Sequence, residues 1–326
     1  MARCPFAARH GHSPEAWHAA VCELAELRHA MAEPVSGRRA GWAKGCRRDM
    51  YVDSHVHFWQ PARGDYGWLK PDHPLLYQDY LPVQLLPEMT VHGVEAVIAV
   101  QAAPTAAEAA FLLELAQTAP AIAGVSGGLD PLAERFDAEL AQLQANTRFA
   151  GVRFGGSAFR AGRPPAEQRR LRAALASLQQ VGLTLDLLVQ PGDLAAVAGY
   201  LEEQPQLTAV VNHLGCPPVR EQPSESWLTG MARLAELPRT AVKLSGMITM
   251  AGGYRPALLQ PYVDRLLQLY GPDRLLFGSD WPIALQAGGY GDVIRLFEAV
   301  LGDELAEEEK GKIRAGNARR FYPIQR

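Results

Sequence analysis

Cysteine is scarce in this 326-residue sequence: Cys4, Cys22, Cys46 and Cys216 are the only four, and no two stand in a CxxC pair. That excludes a disulfide framework and a cysteine zinc knuckle, and it fits a reducing, cytoplasmic compartment. An excess of charge of one sign is lacking too. With 32 Lys and Arg against 35 Asp and Glu, the formal charge is −3, so no broad basic field is available for nucleic acid or an anionic membrane surface. No apolar run approaches the roughly 18 residues that a membrane span needs, and the N-terminus lacks the basic, apolar, small-residue order of a secretory leader. No GxGxxG follows the first strand and no GxxxxGK[ST] occurs anywhere, which removes the usual nucleotide-binding version of an open α/β sheet. The partner class left is a small-molecule substrate, with a homo-oligomer left open.

What is present suits a globular core, with 48% hydrophobic and 21% charged residues. The first fifty residues carry eight Lys and Arg and five Asp and Glu, a net +3, whereas the remainder is −6. Ser13-Pro14-Glu15 supplies a cap, an N1 proline and an early acid, and Trp17, Val21, Leu24 and Arg28 follow at helical spacing, so one short helix is expected before Pro34. Ser36 to Gly41 reads as a linker. Met50 directly precedes the first strong strand, which suggests that residues 1–49 are a poorly ordered extension, as from a start codon assigned too far upstream, and that the functional domain is 50–326. A transit peptide is the rival, but Glu15, Glu23, Glu26 and Glu33 are too many acids for that class.

From Tyr51 onward, short Val-, Ile- and Leu-rich runs alternate with longer helical patterns, the mark of a parallel sheet with crossover helices. Eight strands are expected, over Tyr51–His57, Val94–Gln101, Ile122–Leu129, Phe149–Phe154, Leu183–Val189, Thr208–His213, Ala241–Ser245 and Leu275–Ser279. Helices are expected over Thr105–Thr118, Pro131–Leu143, Pro191–Glu203 and Pro256–Tyr270, and a closing helix around Ala315–Tyr322 is assigned a packing role. Eight such repeats fit a closed (β/α)8 TIM barrel of the α/β class.

Catalytic groups of such a barrel gather at the C-terminal strand ends. The first expected strand ends in His55-Val56-His57, and alternation aims both imidazoles the same way. The sixth ends in His213 and the eighth runs into Asp280. Taken singly, each has a bland explanation: a chance HxH, a core histidine, an aspartate capping the next helix. Together they carry more weight, because residues 51–326 hold only five histidines and three of them fall at strand ends. Three imidazoles and a carboxylate suit a divalent metal, and the nitrogen-rich set favours zinc. Arg153, Gln101 and Lys243 near strand ends, and Trp59 and His73 in an aromatic loop after the first strand, are candidates for substrate contact. His92, before Gly93, reads as structural.

The segments Asp53-Ser54-His55-Val56-His57-Phe58-Trp59, Val211-Asn212-His213-Leu214-Gly215-Cys216-Pro217, Val242-Lys243-Leu244-Ser245-Gly246 and Leu276-Phe277-Gly278-Ser279-Asp280-Trp281-Pro282 resemble the amidohydrolase superfamily. More closely, they resemble its amidohydrolase-2 branch, the sugar-lactone hydrolases of the L-fuconolactonase and L-rhamnonolactonase group. The likeness runs through residues 51 to 322. It implies a metal-assisted hydrolase in which His55 and His57 match metal ligands, His213 is a further ligand or an oxyanion donor, and Asp280 ligates and activates water. Many superfamily members hold two metals bridged by a carboxylated lysine on the fourth strand and use a fifth-strand histidine. Here those strands give Arg153 and Asp186 instead, so one divalent metal or none is expected. The favoured activity is opening of an aldonolactone or similar carboxylic lactone. A zinc-dependent decarboxylase of the same branch is the alternative, and a ligand-binding barrel without turnover the third reading.

Overall fold

In the computed structural model, which describes residues 50–324, eight strands run in register order around one sheet. They are β1 (Tyr51–Val56), β2 (Val94–Val100), β3 (Ile122–Gly128), β4 (Phe149–Gly155), β5 (Thr184–Leu188), β6 (Ala209–Val211), β7 (Thr240–Leu244) and β8 (Leu275–Phe277). Each pairs in parallel with the next, and a parallel bridge between Val56 and Trp281 closes the ring, so the TIM barrel is observed. The helix and linker expected before Met50 lie outside the described residues.

Helices return the chain between strands: α1 (Pro82–His92), α2 (Ala106–Thr118), α3 (Phe136–Gln144), α4 (Pro165–Val181), α5 (Leu194–Glu202), α6 (Glu225–Ala235), α7 (Met247–Ala251), α8 (Pro256–Tyr270) and α9 (Tyr290–Leu301). Proline at the first turn starts α1, α4 and α8, where its missing N–H costs nothing. Thr105 caps α2 by accepting from the Glu108 amide. Two helices start later than their patterns suggested, each because a carboxylate holds the preceding turn. Asp130 accepts from the Leu132 amide before α3, and Asp193 from the Gln190 amide before α5.

Two apolar layers form. The larger lies between strands and helices; the smaller fills the barrel with Val52, Ile98, Val100, Ala150, Val210, Ala241 and Leu276. The smaller is closed from the N-terminal end by Ala315, Ala318, Phe321 and Tyr322, which confirms packing for the final helical segment. That segment is a π-helical turn, Lys312–Gly316, running into a helix over Asn317–Phe321.

Within β1 the register with β2 slips: Asp53 pairs with Val97 but Val56 with Ala99, so β1 carries an extra residue. Val52 joins the inner cluster while Asp53 reaches out to Tyr290 of α9. The bulge then returns His55 and His57 to the barrel interior.

Candidate active site

The four residues singled out at strand ends converge. His55 and His57 face each other with Nε2 atoms 3.2 Å apart, and Asp280 Oδ1 lies 3.2 Å from His57 Nε2 and 3.8 Å from His55 Nε2. The His213 ring is tilted against His55 with centroids 4.5 Å apart. Backbone geometry past β6 and β8 makes this possible. His213, Leu214, Cys216 and Asp280 all have left-handed φ between +50° and +62°, a conformation that costs L-residues of order 1–3 kcal/mol each and concentrates at functional sites. The turn at His213 is also why β6 stops at Val211, short of the expected end.

Two glycines make room. A Cβ on Gly246, itself at φ +65°, would stand 2.8 Å from His213 Nδ1, and one on Gly278 would stand 2.8 Å from the His55 Cβ.

The seam between β8 and β1 is tied through the same residues. Asp53 Oδ1 accepts from the His55 amide at 3.0 Å and the Ser279 amide at 2.9 Å. The Asp280 amide donates to the His55 carbonyl at 2.8 Å, and the His57 amide to the Trp281 carbonyl at 2.7 Å. Ser54 Oγ donates to the Phe277 carbonyl.

Ring orientations are set from behind. His57 Nδ1 lies 2.8 Å from the Val100 carbonyl oxygen, which only accepts; Nδ1 therefore holds the proton and Nε2 presents a lone pair to the site. His213 Nδ1 meets Ser245 Oγ at 2.9 Å, leaving its Nε2 free. Beneath His55, Lys243 Nζ is 3.3 Å from Nδ1 and 2.7 Å from Asp186 Oδ1. Asp186 also accepts from Ser126 Oγ at 2.6 Å and from Tyr322 Oη at 2.8 Å. His55, Ser126, Asp186 and Lys243 thus form one polar layer from the four odd strands, the stacking a filled barrel imposes. Lys243 is wholly buried in that layer, against His55 rather than open to the barrel mouth.

Other candidates separate. Arg153 is buried beside the cluster, with Nη2 donating to the Gln101 carbonyl at 2.5 Å and Nε without a partner. Gln101 is buried with its Oε1 unpartnered. Trp59 is fully buried and donates to the Leu76 and Gln78 carbonyls, so it braces the loop after β1. His73 lies in that loop and lines a cavity of about 410 Å³ with Trp68, Leu69, Lys70 and Asp72. Trp68 is the ring turned outward, anchored by donation to the Ala102 carbonyl at 2.8 Å. His92 stacks on Tyr290 and pairs with Glu88, as its structural reading implied.

Asp53 and Asp186 were not singled out from sequence, whereas Ser245 shares a strand face with Lys243 at a spacing of two. A carboxylate inside the apolar run Leu185-Asp186-Leu187 was the one signal available.

Burial governs the proton affinities. It drives His55 well below the ordinary imidazole range, helped by Lys243, and lowers His213 to about 4 against the opposing pull of Asp280. For Asp280, burial pushes upward, but His213, His57 and Arg153 outweigh it and hold the carboxyl below 3.8. Burial with Asp280 nearby raises the Cys216 thiol to about 12. At neutral pH the cluster therefore holds neutral His55 and His213 around a carboxylate.

That donor chemistry fits a metal. His55, His213 and Asp280 each offer a ligand atom, all within 4.8 Å of one another, and the His57 lone pair adjoins Asp280. Neutral imidazoles, a carboxylate and rings oriented through their second nitrogens are what a divalent transition ion requires.

The amidohydrolase family Amidohydro_2 matches residues 52–324. A protein of Burkholderia ambifaria named L-fucono-1,5-lactonase is 32% identical over 279 residues, covering 84% of this chain and 96% of that one. Another of that name from Burkholderia multivorans is 33% identical over 284 residues, at the same coverage. A crystal structure of an amidohydrolase from Burkholderia multivorans with bound zinc superposes with a TM-score of 0.75 at 32% identity, covering 85% of this chain and all (100%) of that one. A 2,6-dihydroxybenzoate decarboxylase, at 18% identity and a TM-score of 0.60, shares the fold.

Proposed function

The chain belongs to the Amidohydro_2 family of amidohydrolases, and from that premise we propose that it opens an aldonolactone, with L-fucono-1,5-lactone the leading substrate. The observation that carries the reading is a buried carboxylate, Asp280, held among His55, His57 and His213.

Asp280 is the general base. Ionised at neutral pH and aimed into the cluster, it takes a proton from attacking water and returns it to the ring oxygen that leaves as an alkoxide. His213, whose Nδ1 meets Ser245 Oγ at 2.9 Å, serves in one of two tautomers: with Nδ1 donating to Ser245 its Nε2 is a ligand for a cation, and with Nδ1 accepting its Nε2–H donates to the developing oxyanion. Such donors contribute roughly 3 kcal/mol to transition-state stability. Arg153 and Gln101, whose buried Nε and Oε1 have no protein partner, bind substrate hydroxyls or the carboxylate product. Trp68 and His73 form the wall of the mouth, and Trp59 supports it. Lys243 acts through His55.

One divalent cation, zinc by its ligands, would be held by His55, His213 and Asp280 with His57 alongside. Bound there it would supply Lewis acidity toward a carbonyl and a lower pKa for water. A cytoplasmic setting, in which Cys216 stays a thiol, accords with this reading.

The test is a panel of aldonolactones in weak buffer with a pH indicator, with and without chelator and with metal analysis. Acid release on the lactone panel supports the reading. Carbon dioxide release from hydroxybenzoates with inert lactones would replace it by decarboxylation. Asp280→Asn is expected to lower kcat by roughly 10²–10⁴-fold with an unchanged circular dichroism spectrum; near-normal turnover would remove Asp280 from the chemistry.

A further inference from the structure

One buried acid has no part in the mechanism above. Glu108, in the first turn of α2, is fully buried, and its Oε2 has no hydrogen-bond partner. It is not needed as a cap, since its own amide is satisfied by Thr105 Oγ1 at 3.1 Å. A carboxyl is costly to bury, so what it holds is informative.

It holds the main chain just past β2. Glu108 Oε1 accepts from the Ala102 amide at 2.7 Å. On either side of that amide, three consecutive carbonyls orient His57 and Arg153 of the site and Trp68 of the loop after β1. Val100 receives His57 Nδ1 at 2.8 Å, Gln101 receives Arg153 Nη2 at 2.5 Å, and Ala102 receives Trp68 Nε1 at 2.8 Å. The Gln101 side chain is pressed against the next strand, where a Cβ on Gly128 would stand 1.7 Å from Oε1. A small shift of residues 101–103 therefore moves Gln101, Arg153 and Trp68 together.

The opposite side of Glu108 meets the loop after β1. Tyr66 and Asp65 are the groups there that sense its charge, and Arg153 of β4 is the cation that faces it. Asp65 in turn accepts from Arg63 at 2.7 Å and Thr105 at 3.2 Å, and the Arg63 guanidinium lies 4.7 Å over the Phe111 ring of α2.

We propose that Glu108 is a positioning residue for substrate binding, fixing the main chain at 101–103 so that Gln101, Arg153 and Trp68 present one rigid wall to the lactone. The proposal rests on the lactonase reading for its kinetic half and on geometry alone for its structural half. Burial lifts the Glu108 carboxyl to about 7, against the Ala102 and Ala103 amides and Arg153, so its grip changes within the assayable range. The carboxylate is the stronger acceptor, so KM falls as pH rises from 6 to 8.

Glu108→Ala removes the acceptor and Glu108→Gln keeps one. In Glu108→Ala, amide exchange across 100–105 should quicken by about tenfold or more while β5 to β7 exchange as in wild type. KM should rise roughly five- to twentyfold with kcat within about twofold, and Glu108→Gln should restore exchange and KM at pH 6 and lose the slope of KM with pH. Unchanged exchange and KM in Glu108→Ala, or a fall in kcat at constant KM, would overturn the proposal. Should Glu108→Ala not fold, Glu108→Gln decides: a flat KM profile supports it and a slope parallel to wild type refutes it. A wild-type enzyme inert to every lactone would end the lactonase reading, and the exchange comparison would still judge Glu108.

Discussion

At the residue scale, the chemistry depends on two neutral imidazoles beside a carboxylate, a state set by desolvation. The cost of charging His213 in its buried setting keeps it neutral until about pH 4, and Asp280 protonates below 3.8. As a ligand His213 must be neutral, and as a base Asp280 must be ionised, so acidification removes the first near pH 4 and the second below 3.8. The kcat profile should be level from about pH 5 upward and fall near 4; an acid limb close to the ordinary imidazole value of roughly 6.5 would contradict the assignment. His213→Gln, which keeps volume but moves the donor, should cost roughly 10²–10³-fold in kcat. HxH, His213 and Asp280 were legible in the sequence because each ends an apolar run. Asp186 and Glu108 were not. The partners of Asp186 sit far away in sequence, Tyr322 being 136 positions on, while Glu108 in a helical first turn looks locally like a surface acid.

At the element scale, short strands and turns in left-handed conformations aim the side chains. β6 and β8 span three residues each, and the chain bends immediately after them to deliver His213 and Asp280. Gly246→Ala would place a methyl 2.8 Å from His213 Nδ1 at a φ of +65°. We expect a loss of about 1–3 kcal/mol in stability from strain and a drop in kcat larger than any change in KM, measured by thermal melts and steady-state kinetics. The strands were readable as Val- and Leu-rich runs, whereas the true starts of α3 and α5 were hidden. There Asp130 and Asp193 tie turns whose residues would also suit a helix. The β1 bulge was hidden as well, since alternation alone puts His55 and His57 on one side but does not reveal that Val52 shares it.

At the scale of the whole molecule, buried ionisable groups make stability depend on pH in opposing directions. Glu108 binds its proton more tightly folded than unfolded, with a pKa near 7 against 4.5, so its contribution is present below about 4.5 and is lost as pH rises through 7. Glu108→Gln should therefore melt above wild type at pH 8, by at most about 3 kcal/mol, and match it near pH 5. His213 works the other way. Its folded pKa lies below the ordinary 6.5, so stability is lost as pH falls from 6.5 toward 4. Equal displacement of wild type and Glu108→Gln at both pH values would show that Glu108 carries no such linkage.

Among the described residues, the seam between the last and first strands is tied by Asp53 to Ser279, Ser54 to Phe277, Asp280 to His55 and His57 to Trp281, so it runs through the site itself. Turnover is thus a built-in gauge of circularisation. A refolding chain with seven strand junctions zipped and the eighth gaping would display native-like far-ultraviolet ellipticity yet remain inert, and recovery of hydrolysis would time the instant at which the cylinder shuts.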